Sequence, residues 1–352
     1  MSELRINNIT DRAGSSGPII AGVSTVTSTS HMVMPIGSTE MRGGRGRGVF
    51  TGGSAPSATD TMSFITIATT GNATDFGNLS IANYSLGSAA DSTRGVIAGG
   101  YSDSATSSKI EYTTISSSGG SNDFGDLAVG FQYGGGCNSP TLAVFGGAWA
   151  DTVTNVGGDK NSNVLQFVTI QTTGDSSEFG DLTQRRQTDQ ALSNETRGCF
   201  IGGAYYSAYP SYTGTNVIDF VTFSSLGDAQ DFGDLIRGDW GSGAAANNTR
   251  GIIAGGQGGS SPFPRTNTIQ FITIATTGNA EDFGDLLAAN VYTTALSSST
   301  RVAIGGGGNP ARTNLIDFIT ITTTGNATQF GDLTIAVNQL SSFSNVNGGI
   351  GD

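Results

Sequence analysis

The sequence predicts an all-β fold, a six-bladed β-propeller, from three observations: a phrase repeated six times, aromatic residues at fixed places within it, and strands that are apolar on both faces. The last copy reads LIDFITITTTGNATQFGDL. A period of about fifty residues is typical of repeat architectures. Two aromatic residues stand twelve residues apart in every copy. The pairs are Phe64 and Phe76, Tyr112 and Phe124, Phe167 and Phe179, Phe220 and Phe232, Phe271 and Phe283, and Phe318 and Phe330.

The strand that opens the phrase carries apolar side chains on both faces. Because successive side chains of a strand alternate, Ile316 and Phe318 share one face, and Ile319 and Ile321 share the other. Such a strand needs a sheet on either side. Four-stranded units packed face to face are the blades of a propeller, and we expect the aromatic residues to fill the gaps between blades. An open β-solenoid is the alternative, although solenoid coils usually have shorter periods.

A short apolar strand that ends in two glycines, such as VIAGG or IIAGG, precedes the first aromatic residue of each copy. We expect the glycine pair to allow close backbone approach near the crowded axis, where a side chain would not fit. The connection from the glycines to the aromatic residue varies in length, whereas the other spacings are nearly constant. Its longest versions span residues 148–163, 204–216 and 257–267.

The C-terminal segment is predicted to close the ring. After the last FGDL the chain continues TIAVNQLSSFSNVNGGIGD, which matches the segment SIANYSLGSAADSTRG ahead of the second glycine strand. The first glycine strand, residues 49–53, has no such segment before it within a repeat. We therefore expect the tail to supply the missing strand to the first blade, which leaves no open edge. The N-terminal segment HMVMPIGSTE is the alternative for that place.

Composition and charge limit the classes of partner. The net charge is −12 and only two of the 16 basic residues are lysines, which argues against nucleic acid because phosphate binding needs a positive surface. The basic run RGGRGRG is interpreted as a flexible lead into the first strand.

No segment is apolar enough to span a membrane, and the polar start MSELRINNIT lacks the apolar core of a secretory signal. Cys137 and Cys199 form no recognisable motif.

Charged residues recur with the repeat, and we interpret them as structural. Asp-rich loops can bind Ca²⁺, but each copy offers only one or two carboxylates beside the second aromatic residue, so turn capping is favoured and no metal site is predicted. The repeated arginines are expected to bond these carboxylates in pairs, with an anion-binding ring at the axis as the alternative. The arginines are Arg47, Arg94, Arg197, Arg250 and Arg301.

Catalytic constellations are absent from the sequence. The single histidine, His31, lies outside the repeats, and no Cys and His stand at motif spacing. The run IGGGGNP is not a phosphate-binding loop, since no GK[ST] follows it. We therefore predict a non-enzymatic chain without catalytic residues, cofactor or metal.

The variable loops are the predicted contact surface. Aromatic residues exposed on loops suit binding to sugars or proteins, although they can also pack on their own blades. Those that cluster in the two longest loops are Trp149, Tyr205, Tyr206, Tyr209 and Tyr212.

The pattern VIAGG…IEYTTI…DFGDL resembles the kelch-type propeller family. In that family a diglycine strand is followed by a variable loop, a Tyr and then a Trp. Here the Tyr position is mostly Phe, and Phe replaces the Trp at a longer distance. The resemblance covers residues 47–352 and implies a kelch-like β-propeller, but it is nearly silent on function.

Residues 1–46 do not repeat and are predicted to form an extended N-terminal docking arm. Joined to GRGVFTGG, the arm resembles the starts of virion structural proteins of tailed bacteriophages, especially marine ones. That resemblance implies that the arm anchors the chain to other virion proteins while the propeller, residues 47–352, presents its loops.

The predicted function is therefore a non-enzymatic structural or adhesion component of a phage particle, in its tail, fibre, neck or head decoration. The expected location is the virion. A host surface glycan is a compatible partner, and so is a second copy in a homo-oligomer; neither nucleic acid nor membrane insertion is expected. The alternative is a free carbohydrate-binding propeller, a lectin, and the third hypothesis is a propeller enzyme with an axial site.

Overall fold

A computed structural model describes residues 46–152, 159–188, 190–208, 211–258, 263–308 and 310–346 of the chain. The side chains of residues 206–208 and 211 are outside that description. All the regular elements within those ranges are β-strands. No helix there is long and apolar enough to cross a bilayer. The predicted arm and the segment HMVMPIGSTE fall in residues 1–45, which lie outside the described residues.

Six four-stranded antiparallel sheets form the blades, and each blade runs from an inner strand at the axis to an outer strand. Blade 1 has β28 (Ser341–Ser344), β1 (Arg47–Thr51), β2 (Thr61–Thr66) and β3 (Thr74–Asn78); blade 2 has β4 (Gly87–Ala90), β5 (Arg94–Ala98), β6 (Lys109–Thr114) and β7 (Asn122–Asp126); blade 3 has β8 (Gly135–Asn138), β9 (Leu142–Gly146), β10 (Val164–Thr169) and β11 (Ser177–Asp181). Blade 4 has β12 (Gln190–Ser193), β13 (Arg197–Ile201), β16 (Val217–Thr222) and β17 (Gln230–Asp234); blade 5 has β19 (Gly243–Ala246), β20 (Arg250–Ala254), β22 (Thr266–Thr273) and β23 (Glu281–Asn290); blade 6 has β24 (Thr294–Ser297), β25 (Arg301–Gly305), β26 (Leu315–Thr320) and β27 (Thr328–Asp332).

The predicted closure by the C-terminal segment is confirmed. Strand β28 pairs antiparallel with β1, so that Val49 lies opposite Phe343 and Thr51 opposite Ser341. The inner strands then contact one another in the cyclic order β28, β4, β8, β12, β19, β24 and back to β28. The first blade is thus built from both ends of the described chain.

Strand direction divides the connections between two faces of the propeller. What we name the loop face carries the connections from second to third strands and from each outer strand to the next inner strand. The turn face carries the short turns between first and second strands and between third and fourth strands. In blade 2, residues 99–108 and 127–134 lie on the loop face, and residues 91–93 and 115–121 lie on the turn face.

Six apolar cores lie between neighbouring blades, and they explain the two-sided strands. In β26, Ile316 and Phe318 belong to the core shared with blade 1. Ile319 belongs to the core shared with blade 5. The two aromatic residues of each phrase meet edge to face in these cores, with ring centroids between 5.8 Å and 6.1 Å apart. The prediction that they fill the gaps between blades is confirmed.

The predicted pairing of the repeated arginines with carboxylates is wrong. Arg250 instead lies over the ring of Phe271, with its Cζ 4.4 Å from the centroid, and its Nη1 donates to the carbonyl oxygen of Ile321 in blade 6 at 2.9 Å. The same pair of interactions recurs at the other four repeated arginines, Arg47, Arg94, Arg197 and Arg301. Each arginine therefore ties its own aromatic residue to the backbone of the next blade.

The glycine pairs do allow close backbone approach, but on the loop face rather than at the axis. Gly99 and Gly100 have left-handed φ values of +71° and +94°. A Cβ on Gly99 would lie 2.7 Å from the carbonyl oxygen of Phe131 in the connection to the next blade. Gly100 donates its N–H to that same oxygen at 2.6 Å.

At the axis, small polar side chains hold the inner strands together. Ser88 and Ser341 hydroxyls lie 2.5 Å apart, and Ser344 Oγ donates to the Ser297 carbonyl at 2.6 Å. The axial cavity that remains among all six inner strands has a volume of about 20 Å³, room for roughly one water molecule.

In blades 2 to 6, a polar residue just before the first aromatic residue links the third strand to the preceding blade. Gln270 accepts the N–H of Ile236 at 2.9 Å through its amide oxygen. In blade 6 the equivalent residue is Asp317, whose Oδ2 accepts the N–H of Leu287 at 3.3 Å while the buried Oδ1 has no hydrogen-bond partner. Burial raises the pKa of Asp317, and the Leu287 hydrogen bond only partly opposes that shift. A neutral amide therefore suits this place better than a carboxylate.

Replacing Phe343 by Ala tests the closing strand. The ring is 2% exposed and packs in the core between blades 1 and 2, so the free energy of unfolding should fall by about 3–5 kcal/mol. Urea denaturation measures the change. The control is Leu226→Ala, on the turn face at 61% exposure, with an expected change within about 0.5 kcal/mol. Equal effects in the two variants would contradict a closing role for β28.

Replacing Asp317 by Gln should stabilise the chain at pH 7 by about 0.5–1 kcal/mol. The reason is that the half-buried carboxylate, one oxygen of which has no hydrogen-bond partner, is replaced by a neutral amide. The folded-state pKa of Asp317 is raised, so ionisation of this carboxyl lowers the free energy of unfolding of the wild type as the pH rises through that pKa. Below about pH 4 the carboxyl is protonated in both the folded and the unfolded state, and the stability advantage of the variant should vanish. Urea denaturation between pH 3.5 and 8 checks this. Asp282→Gln, at an exposed carboxylate, is the control; the same gain there, or a gain that persists at pH 3.5, would refute the explanation.

Candidate ligand-binding pocket on the loop face

A pocket of about 240 Å³ opens on the loop face above blades 4 and 5. Six connections between strands converge on it, and none of the described residues that line it is charged. We name it the aromatic pocket. Its lining residues are Tyr133, Gln187, Ala204, Tyr212, Trp240, Gln257, Phe263 and Tyr292.

Two short hairpins in the variable loops form its walls. In blade 4, β14 (Ala204–Ala208) pairs with β15 (Ser211–Gly214) and brings Ala204 and Tyr212 to the pocket. Beside blade 5, β18 (Asp239–Trp240) pairs with β21 (Gln257–Gly258), and Trp240 lies directly opposite Gln257. The rings of Trp240 and Phe263 meet edge to face with centroids 5.0 Å apart.

The two tyrosines nearest the axis are placed by a ring of backbone hydrogen bonds. One residue just before each inner strand has a left-handed φ: Ser85, Tyr133, Gly241, Tyr292 and Gln339, with values of 55° to 69°. Each described link runs from an N–H to the carbonyl of the equivalent residue one blade back, as from Tyr133 to Ser85 at 3.1 Å and from Tyr292 to Gly241 at 2.6 Å. The sixth position, residue 189, lies outside the described residues.

This ring requires the backbone conformation but not an aromatic side chain. Gly241 meets the requirement without steric cost, whereas a left-handed residue with a Cβ costs about 1–2 kcal/mol. The hydroxyl of Tyr133 accepts the side-chain N–H of Gln339 at 2.8 Å, which fixes its direction. Tyr133 and Tyr292 thus stand at a strained position that other blades fill with smaller residues, and both border the pocket.

Gln187 is positioned by a buried ion pair beneath it. The side chains of Arg186 and Asp219 are fully buried, and Arg186 Nη1 donates to Asp219 Oδ2 at 2.8 Å. Burial lowers the pKa of Arg186, and Asp219 opposes that shift. Gln187 itself is 6% exposed and donates through Nε2 to Asn161 Oδ1 at 3.1 Å. The amide therefore has a fixed orientation at the pocket wall.

Two charged residues near Trp240, Arg237 and Asp239, form an ion pair. Arg237 Nη2 lies 2.7 Å from Asp239 Oδ1, and Asp239 is 3% exposed. Burial raises the pKa of Asp239 more than Arg237 lowers it. Neither residue lines the pocket, whose described lining residues offer aromatic faces, phenol hydroxyls and amides to a ligand.

The structure places the predicted contact residues in different surroundings. Tyr212 lines the pocket at 37% exposure. Trp149 is half-buried in the blade 3 loop, where its Nε1 donates to Asp151 Oδ1 at 3.3 Å. Tyr205 is half-buried and follows Ala204 on β14, so it points to the opposite face of that hairpin. Tyr206 belongs to β14 but its side chain is not described, and Tyr209 lies outside the described residues.

Sequence reasoning missed most of the pocket. A signal was present, because Tyr133 and Tyr292 occupy repeat positions where the other copies have Ser, Asp, Gly or Gln. Trp240 likewise stands where no other copy has a tryptophan. The missed residues are Tyr133, Gln187, Trp240, Gln257, Phe263 and Tyr292.

Two features bear on the metal and axial-site hypotheses. In the described ranges, no three His, Cys, Asp or Glu side chains group together as they would around a metal ion. The axial cavity of about 20 Å³ is too small for an organic substrate.

Comparison with protein-family models gives no match, and comparison with curated proteins gives no significant similarity. The aromatic pocket and the two faces of the propeller are therefore the basis for the functional proposals.

Gly241→Ala and Tyr292→Gly test the left-handed ring in opposite ways. Gly241 has a φ of +69°, and a Cβ there would lie 2.7 Å from Val291 Cγ2, so Gly241→Ala should lower the free energy of unfolding by about 1–3 kcal/mol. In Tyr292→Gly, relief of backbone strain offsets both the lost burial of the ring and the higher conformational entropy of the unfolded chain. The free energy of unfolding should therefore change by no more than about 1 kcal/mol. Urea denaturation of both variants decides; a tolerated alanine at position 241 would contradict the constraint.

Proposed function

We propose that this chain is a non-enzymatic adhesion or structural component of a phage particle. Its residues 1–46 dock to other virion proteins, and its propeller presents the loop face to a host surface. The observation that carries the proposal is the position of the chain ends relative to the aromatic pocket. An adhesion module must be attached without covering the face that binds.

The two ends of the described chain meet on the turn face. Gly46 accepts the N–H of Ile67 at 2.9 Å through its carbonyl oxygen. A Cβ on Gly46 would lie 2.8 Å from Val346 Cγ2. Gly46, the first described residue, therefore lies on the face opposite the aromatic pocket, and its position there supports the proposed attachment through the N-terminal segment.

The phage setting rests on the resemblance of residues 1–46 and GRGVFTGG to virion structural proteins. The net charge of −12 and the scarcity of lysine accord with a particle surface that does not bind nucleic acid. A homo-oligomer, in which several copies share one attachment point, is part of the proposal because several weak sites together bind more tightly than one.

A free carbohydrate-binding propeller is the second candidate, since the aromatic pocket supports it equally. The two candidates differ in whether the chain is part of a particle. The axial-enzyme hypothesis draws no support from a cavity of about 20 Å³.

Immunogold electron microscopy of purified particles from the source culture tests the proposal, using an antibody raised against the propeller. We expect label at one fixed position of the particle, together with the chain's peptides in the mass spectrum of gradient-purified particles. Antibody blocked with the purified chain is the control. Intact particles without label, with the protein only in the free lysate, would reject the virion role and favour the free lectin.

A further inference from the structure

We propose that the aromatic pocket binds one pyranose ring of a neutral glycan. This inference deepens the proposed function, because it names the ligand class of the loop face. The volume of about 240 Å³ admits a single sugar ring, and the remainder of a longer glycan would extend across the loop face.

The apolar part of the lining matches the faces of a sugar ring. A pyranose carries C–H bonds on its two faces and hydroxyl groups around its rim. Trp240 and Phe263 form one edge-to-face pair, and Tyr133, Tyr212 and Tyr292 add three further rings. Aromatic side chains that are apolar on the face and polar at one end suit such a ligand, since they bury area while staying hydrogen-bonded.

The polar part of the lining matches the hydroxyl rim. Amides both donate and accept hydrogen bonds, as phenol hydroxyls do, and the pocket has both in Gln187, Gln257 and its three tyrosines. The Gln187 amide and the Tyr133 hydroxyl are already oriented by Asn161 and Gln339. Because none of the described lining residues is charged, a sialic acid carboxylate, a sulfate or a charged peptide end would find no counter-ion among them.

Three residues of the pocket have a strained backbone. Six non-glycine residues in the described ranges have left-handed φ values, and three of them line this pocket: Tyr133, Phe263 and Tyr292. Strained residues concentrate at functional sites because the surrounding structure must hold them in place. The hydrogen-bond ring accounts for the conformation of the two tyrosines, and it does not require the aromatic side chains that both present to the pocket.

A glycan array with neutral, sialylated and sulfated glycans, probed with the full chain, tests the inference. We expect binding to neutral glycans. Isothermal titration of the best hit should show about tenfold weaker binding for Tyr292→Gly and for Tyr212→Ala, since each variant loses one stacking ring. Tyr101→Ala is the matched control, because the Tyr101 ring of the blade 2 loop contacts the Tyr84 ring at a tilted angle, with centroids 5.6 Å apart, and does not line the pocket. Its affinity should stay within about twofold of the wild type.

Fluorescence provides a second readout that does not depend on the tyrosine variants folding. The chain has two tryptophans, so Trp149→Phe leaves Trp240 as the only one. The bound glycan should then change the Trp240 emission with the same Kd as titration. That Kd should not vary between 50 and 500 mM NaCl, because none of the described lining residues is charged.

Four results would overturn the inference: no carbohydrate binding on the array, binding of charged glycans only, binding of peptides instead, or binding that the pocket variants leave unchanged. None of these depends on whether the chain belongs to a particle. A chain that binds neutral glycan but is absent from virions would reject the virion role and leave the pocket assignment intact.

Discussion

Closure of the ring through β28 and β1 is the interaction on which the rest of the structure depends. Each blade is apolar on both faces, so it needs two neighbours, and this pairing supplies them to the first and last blades. Phe343 and Val346 belong to the cores on either side of blade 1. Without β28, those cores would open and an apolar sheet would be exposed, which is an aggregation hazard. The burial of the apolar faces throughout the ring therefore depends on one four-residue strand.

Most of the fold could be predicted from the sequence, because the repeat shows which side chains share an environment. The alternation of Ile316 and Ile319 indicated a strand buried on both sides, and the match between the tail and the segment from Ser80 indicated the closing strand. The partner of the repeated arginines could not be predicted, since a repeat shows that a charge recurs but not which oxygen it meets. In the register of blade 5, Arg250 lies near Phe271, and the backbone of the next blade is closer than any carboxylate.

Little of the aromatic pocket could be predicted, for a different physical reason. Tyr212 was found because aromatic residues on long loops are recognisable from composition. Tyr133 and Tyr292 come together only because the ring places equivalent positions around one axis and holds each in a left-handed conformation. The loops that cover that ring are positioned by the two hairpins of blades 4 and 5. These hairpins are not part of the repeated sequence. The site thus lies where the copies differ, whereas the fold follows from what they share.

The origin of blade 1 has a consequence for the order of events during synthesis. Thr51 and its partner Ser341 are separated by 290 residues. At a translation rate of about 5–20 residues per second, β1 waits roughly 15–60 s before its partner leaves the ribosome. Blades 2 to 5 can form from local sequence in that interval, while the edge of β1 stays unpaired. The part of the propeller that emerges first is therefore completed last, and nascent chains are most exposed to misassembly with one another through that waiting edge.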